Sequence, residues 1–217
     1  MISITLTIIV ATVIISFIAF NNRQVMDNLI FYPPAVSDKK QYYRFITCGF
    51  IHADIAHLAF NMISFYLFSN ALVEPAFIQF FGDYGRAIFL LMYLLALVVC
   101  LLPTYWKNKD NENYRSLGAS GAVSAVIFAG IIIAPQLQMG FFIIPPVIPG
   151  FIFGPLYLVC SFYLDKKGGG NINHSAHIWG ALFGVIFIIV ATKFYSQYDV
   201  WTNFVEQIKE YFATKFG

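Results

Sequence analysis

Six apolar runs constrain this chain more than any other feature. They cover residues 2–20, 55–72, 87–102, 119–134, the later half of 139–164, and 176–191. In a bilayer, only helices and closed barrels satisfy every backbone polar group. None of these runs alternates polar with apolar residues as a barrel strand must. The chain therefore reads as an all-α integral membrane protein, a six-transmembrane-helix bundle over residues 1–195. Its balance agrees, with 59% hydrophobic and 11% charged residues where soluble domains carry about 25% charged. Pro103 and Pro135 are expected to stop the third and fourth helices, and Pro145, Pro146 and Pro149 to confine the fifth. The first run lacks a basic leader region and a small-residue cleavage site, so it reads as a retained helix.

Residues 196–217 differ in character. Trp201, Phe204, Val205, Ile208 and Phe212 recur at helical spacing, with Glu206, Lys209 and Glu210 between them. That pattern predicts an amphipathic helix lying on the membrane surface or docked on a partner. A net charge of +2 without a basic run gives no footing for nucleic acid. Cys48, Cys100 and Cys160 are scattered through apolar sequence and read as core residues, not as a disulfide frame or metal site.

A few polar groups are out of place in lipid, and such groups are functional candidates. They are His52, His57 and Asn61 at the second run, Ser120 at the fourth, and His174 and His177 at the sixth. Each even-numbered run follows an odd-numbered connector. In any alternating topology their N-terminal ends face one side, so three separated pieces of sequence converge on one leaflet. Ser120 lies five residues past Arg115 and His177 ten past Lys167. At 1.5 Å per helical residue, both are expected roughly 10 Å below the charged surface. Small residues repeat every fourth position at Gly121, Ala125 and Ala129, and again at Gly180 and Gly184. That spacing lets two membrane helices approach closely, and the same approach would carry His177 to Ser120.

Acyl transfer needs a nucleophile, a base and donors for the developing oxyanion. Ser120 supplies a hydroxyl and His177 is the best-placed base. A helix starting near Ser120 presents free N–H groups to an anion. His57 and Asn61, four apart, project from one face and are candidate donors to one oxygen. The nearest acid to the sixth run is Asp165, across the connector, so a dyad is expected. Each piece also has a plainer reading. Ser120 alone fits helix packing, and His57 with Asn61 fits an interhelical hydrogen-bond pair. The four histidines without a cysteine or carboxylate at ligand spacing leave no metal or cofactor implied. His52 reads best as a brace for the first connector.

The chain resembles the rhomboid family of intramembrane serine proteases. "HADIAHLAFN" at 52–61 matches that family's His-x4-His-x3-Asn pattern, and "GASG" at 118–121 its Gly-x-Ser-Gly block. "AHIWGALFG" at 176–184 matches its Ala-His-x2-Gly-x3-Gly block. Order and spacing agree over about residues 40–190. The resemblance implies a rhomboid-like bundle with Ser120 as nucleophile and His177 as general base. It implies an oxyanion hole from the Ser120 N–H, His57 and Asn61. Gly118, Gly121, Gly180 and Gly184, with His52, give structural support. "YYRF" at 42–45 resembles the aromatic-Arg element of the first connector, with Arg44 an anchor. Residues 165–173, carrying three successive glycines, would cap the cavity as a mobile lid. The implied partners are transmembrane protein substrates, cut near the membrane surface, and the lipid bilayer.

Two departures stand out. Many rhomboids carry, four residues after the nucleophile, an aromatic residue that packs on the catalytic imidazole; here the position is Ser124. If both termini are cytoplasmic, the inner segments hold four Lys/Arg and the outer connectors nine. That is opposite to the positive-inside rule, whereas the resemblance puts both termini inside. An inactive, helix-binding rhomboid-like protein is the second reading, and a small transporter or metal-binding channel the third. The minimal six-run plan suggests a bacterial cell membrane.

Overall fold

Helix after helix follows from the apolar runs in the computed structural model, which describes residues 3–141, 144–168 and 172–216. The chain begins with α1 (Ile4–Asn21), capped by Ser3, whose Oγ accepts from the Leu6 N–H. The first connector is folded into α2 (Arg23–Leu29), α3 (Pro33–Lys39) and α4 (Arg44–Thr47). Next come α5 (Ile55–Phe68), a π-helical turn at Ser69–Val73, and α6 (Glu74–Phe81). A turn at Gly82–Tyr84 then leads into α7 (Gly85–Val99). That turn is tight, since a Cβ on Gly85 would stand 2.4 Å from the Phe77 carbonyl oxygen. The rest is α8 (Leu102–Asn108), α9 (Ser120–Ile133), α10 (Gly150–Lys167), α11 (His174–Tyr195) and α12 (Val200–Phe216).

Each apolar run is thus helical, and the fold is an all-α membrane bundle. Among the described residues, three stretches are long and apolar enough to cross a membrane, namely Ile4–Asn21, Ile55–Asn108 and His174–Tyr195. Two details depart from the sequence expectation. Pro103 does not stop a helix; it lies in the first turn of α8, where its missing N–H is an orphan anyway. Before α10, the proline-rich stretch forms an antiparallel hairpin of β1 (Gln138–Phe141) and β2 (Ile144–Pro149). Of residues 165–173, expected to act as a lid, residues 165–167 form the last turn of α10 and residues 169–171 lie outside the described residues.

α9 is the hub. Eleven of its residues are buried, among them Ala122, Val126 and Ala129, so its apolar surface faces protein on nearly every side. Its fourteen residues span about 21 Å at 1.5 Å each, against a hydrocarbon core of about 30 Å. A helix of that length is too short to cross the hydrocarbon core from face to face. α11 lies directly on it: a Cβ on Gly184 would stand 2.1 Å from the Ala125 carbonyl oxygen. Phe65, Phe77, Phe89 and Tyr93 fill the space between α5, α6 and α7.

One buried charge organises the end of the bundle remote from Ser120. Glu74 is almost fully buried and accepts from the Ser3 hydroxyl at 2.8 Å and the Thr5 hydroxyl at 2.6 Å. It also accepts from the N–H groups of Ile4 and Thr5, both at 3.0 Å. Arg86 stands 3.6 Å away. The carboxylate therefore takes up orphan donors of the first turn of α1 and ties that helix to α6. At the same end, α12 packs on the bundle: Gln207 donates to the Ile133 carbonyl at 3.1 Å, and Gln136 donates to the Gln207 carbonyl at 2.7 Å.

Candidate active site

The site is built where α5, α9 and α11 begin, and each start has a local cause. Asp54 caps α5 by accepting from the His57 N–H at 2.7 Å. Asn173 caps α11 by accepting from the Ala176 N–H at 3.0 Å. α9 has no side-chain cap, which leaves its first-turn N–H groups available to an acceptor. The chain enters α9 through Gly118 at φ +108°, a conformation side chains rarely adopt.

Ser120 and His177 meet at 2.7 Å, Oγ to Nε2. They come together because Gly180, three residues past His177, sits against Gly121, leaving no room for a side chain between α9 and α11. The other ring nitrogen of His177 also has a partner, the Tyr157 hydroxyl of α10, at 3.1 Å from Nδ1. The two rings are nearly parallel, with centroids 6.5 Å apart. Sequence reasoning did not find Tyr157. The signal available was its place between Gly154 and Ser161 on the one buried face of α10, opposite the small Ser124.

His57 lies against the segment that precedes Ser120. A Cβ on Gly118 would stand 2.7 Å from His57 Cε1 and 2.9 Å from Nε2. The Ala53 N–H donates to His57 Nδ1 at 3.5 Å, which assigns the ring proton to Nε2, the nitrogen facing Gly118. Asn61 is buried one turn later, and its amide donates to the His57 carbonyl at 3.0 Å. It is turned onto its own helix.

His52 is fully buried and links three pieces of chain. Its Nε2 accepts from the Ala119 N–H at 3.5 Å, and its Nδ1 lies 3.0 Å from the Ser16 hydroxyl. That hydroxyl in turn donates to the Phe50 carbonyl at 3.0 Å. The network gives the Nδ1–H tautomer, braced between α1 and the residue before the nucleophile candidate. Its ring also stands edge-on to His57 at 4.9 Å. His174 makes the same kind of contact with His177 at 5.9 Å, so the four histidines fall into two pairs.

Arg44 lies away from this cluster and holds the first connector together. Its guanidinium is buried and donates to the carbonyls of Asp27 and Ile30 at 2.9 and 2.7 Å, and to Gln41 Oε1 at 2.6 Å. It is a folded-in charge, not a loop charge of the kind the positive-inside rule counts.

Comparison with known proteins fits this geometry. Residues 39–194 match the Rhomboid domain. The chain is 29% identical over 188 residues to RHOMBOID-like protein 12, mitochondrial, of Arabidopsis thaliana, covering 81% of this chain and 54% of that protein. It is 30% identical over 148 residues to Presenilin-associated rhomboid-like protein A, mitochondrial, of Danio rerio, covering 66% of this chain and 36% of that protein. Rhomboid-like protein 11, chloroplastic, of Arabidopsis thaliana is 28% identical over 160 residues, which is 70% of this chain and 54% of that protein. The chain thus spans about half or less of the length of these relatives. Its helical membrane bundle and its match across residues 39–194 make this chain a member of the rhomboid family.

Proposed function

We propose that this chain is an intramembrane serine endopeptidase, cutting membrane-spanning helices near the membrane surface through a Ser120–His177 dyad. The observation that carries the reading is the 2.7 Å contact between Ser120 Oγ and His177 Nε2 at the start of a short, buried helix. A hydroxyl and an imidazole in that contact are the nucleophile and base of acyl transfer. As Ser120 Oγ attacks the scissile carbonyl, His177 Nε2 takes its proton. The carbonyl oxygen becomes an oxyanion, for which the proposed donors are the Ser120 N–H, the His57 Nε2–H and the Asn61 amide N–H not held by the His57 carbonyl. The imidazolium then returns the proton to the departing amine. Water repeats the sequence on the acyl-enzyme and releases the second product.

Gly118, Gly121, Gly180 and Gly184 serve this chemistry by letting backbone and imidazoles approach, and His52 and Arg44 by bracing the connectors. We propose six membrane crossings within residues 1–195, with residues 196–217 as an amphipathic tail. Both termini lie on the cytoplasmic side and the site opens to the opposite leaflet. Burial of Arg44 takes one positive charge out of the outer count, and the orientation itself rests on the family resemblance. The membrane proposed is that of a bacterial cell, while the relatives named above are mitochondrial or chloroplastic proteins.

A fluorophosphonate probe tests the serine directly. It is expected to label wild-type protein at Ser120, to leave Ser120→Ala unlabelled, and to label His177→Ala at least about 100-fold more slowly. Equal labelling of all three would overturn the dyad.

A further inference from the structure

We propose that Tyr157 is a positioning residue for the base, so that the working unit is a Ser120–His177–Tyr157 relay in which a neutral phenol takes the place of a carboxylate. The proposal rests on Ser120 and His177 acting as described above. Two observations carry it. The Tyr157 hydroxyl is 3.1 Å from His177 Nδ1, on the side of the ring opposite Ser120. The Tyr157 ring is wedged against Phe128 at 5.8 Å and Phe153 at 6.3 Å, which fixes where its oxygen points.

The direction of each hydrogen bond follows from the donors present. The Ser120 hydroxyl, 2.7 Å from Nε2, is the donor in that contact when Ser120 is the nucleophile, so the ring proton sits on Nδ1. The phenol oxygen of Tyr157, 3.1 Å away, then accepts from His177 Nδ1–H. That leaves Nε2 unprotonated and facing Ser120, the tautomer a general base requires. The opposite arrangement would put a proton on Nε2 and leave Ser120 without a base. Phenylalanine would fill the same space, so the hydroxyl has work beyond packing.

Ser124 connects this arrangement to its neighbours in sequence. It occupies the position four residues past Ser120, on the face of α9 that meets α10. A small residue there leaves room for the aromatic ring to come from α10. Only Gly150, Gly154 and Ser161 of that helix are buried, so the relay draws its third member from a helix held on one narrow face.

The test compares wild type with Tyr157→Phe, each reconstituted in detergent or liposomes. Nitrogen-15 NMR of histidine-labelled protein reads the tautomer without any substrate; the other titratable groups near His177 are His174 and His57. Wild type is expected to show His177 protonated at Nδ1 and bare at Nε2, and Tyr157→Phe a mixture. Ser120 labelling and kcat should fall about tenfold in Tyr157→Phe, with KM and melting temperature unchanged. An Nε2-protonated ring in wild type, or a Tyr157→Phe protein matching wild type in tautomer and labelling, would overturn the relay. If wild type cuts no substrate, the NMR result still decides the tautomer, and the protease reading fails separately.

Discussion

Gly180 and Gly121 touch backbone to backbone: a Cβ on Gly180 would stand 2.0 Å from the Gly121 carbonyl oxygen. Such a distance leaves no route for a side chain, so the helices that carry Ser120 and His177 hold this register only while position 180 is glycine. Gly180→Ala should push α11 off α9 and cost about 2 kcal/mol, lowering the melting temperature and slowing phosphonate labelling of Ser120. Labelling and melting at wild-type values would show that the close approach is not what aligns the pair.

Gly118 combines a backbone constraint with a contact. At φ +108° a side chain is strained, and its Cβ would collide with the His57 ring at 2.7 Å. Gly118→Ala is expected to displace His57 and reduce cleavage by about 100-fold, a loss equivalent to roughly 3 kcal/mol. Circular dichroism should still report a helical protein. Cleavage within a factor of about two of wild type would contradict this use of the glycine.

Glu74 predicts an effect on stability at a distance from the chemistry. Glu74→Ala leaves the hydroxyls of Ser3 and Thr5 and two backbone N–H groups without their acceptor. Removing such a buried, multiply bonded carboxylate costs about 3 kcal/mol. Thermal unfolding in detergent should show a lower midpoint, while cleavage well below that midpoint stays close to wild type. An unchanged midpoint would mean that α1 is held by its apolar face alone.

Asp199 makes the cap of α12 sensitive to acid. Its carboxylate accepts from the Thr202 N–H at 3.0 Å and the Thr202 hydroxyl at 2.9 Å. Those bonds, led by the backbone one, hold its pKa below the ordinary aspartate value. A depressed folded value stabilises the capped helix above the unfolded value of about 3.9, and that stability is lost as pH falls through the lower folded value. Hydrogen exchange at Val200–Asn203, compared with Asp199→Ala across this range, should converge at low pH. Separation that persists once the Asp199 carboxyl is protonated, followed by its own carboxyl carbon-13 shift, would mean the cap does not depend on the ionised carboxylate.

Much of the site was legible because lipid makes polar residues conspicuous. Ser120, His57 and His177 stand out in apolar runs, and the glycines at 121, 180 and 184 point to the helix pair that joins two of them. Tyr157 was hidden because an aromatic residue in an apolar helix reads as lipid-facing until its hydroxyl is given a partner. Glu74 was hidden because the second run appeared to end at residue 72, whereas a π-helical turn carries the helix past it. Proline concealed two more elements. Pro103 opens α8 as readily as it would close α7, and the prolines at 145, 146 and 149 lie in a strand whose partner is set by tertiary pairing.

The most direct measurement is cleavage of a membrane-spanning helix by the purified protein in liposomes, comparing wild type with Ser120→Ala and His177→Ala at matched amount and folding. The account predicts that wild type cuts near the membrane surface and that both variants lose at least about 1,000-fold in rate. Variants that cut as fast as wild type would place the activity elsewhere and contradict the dyad.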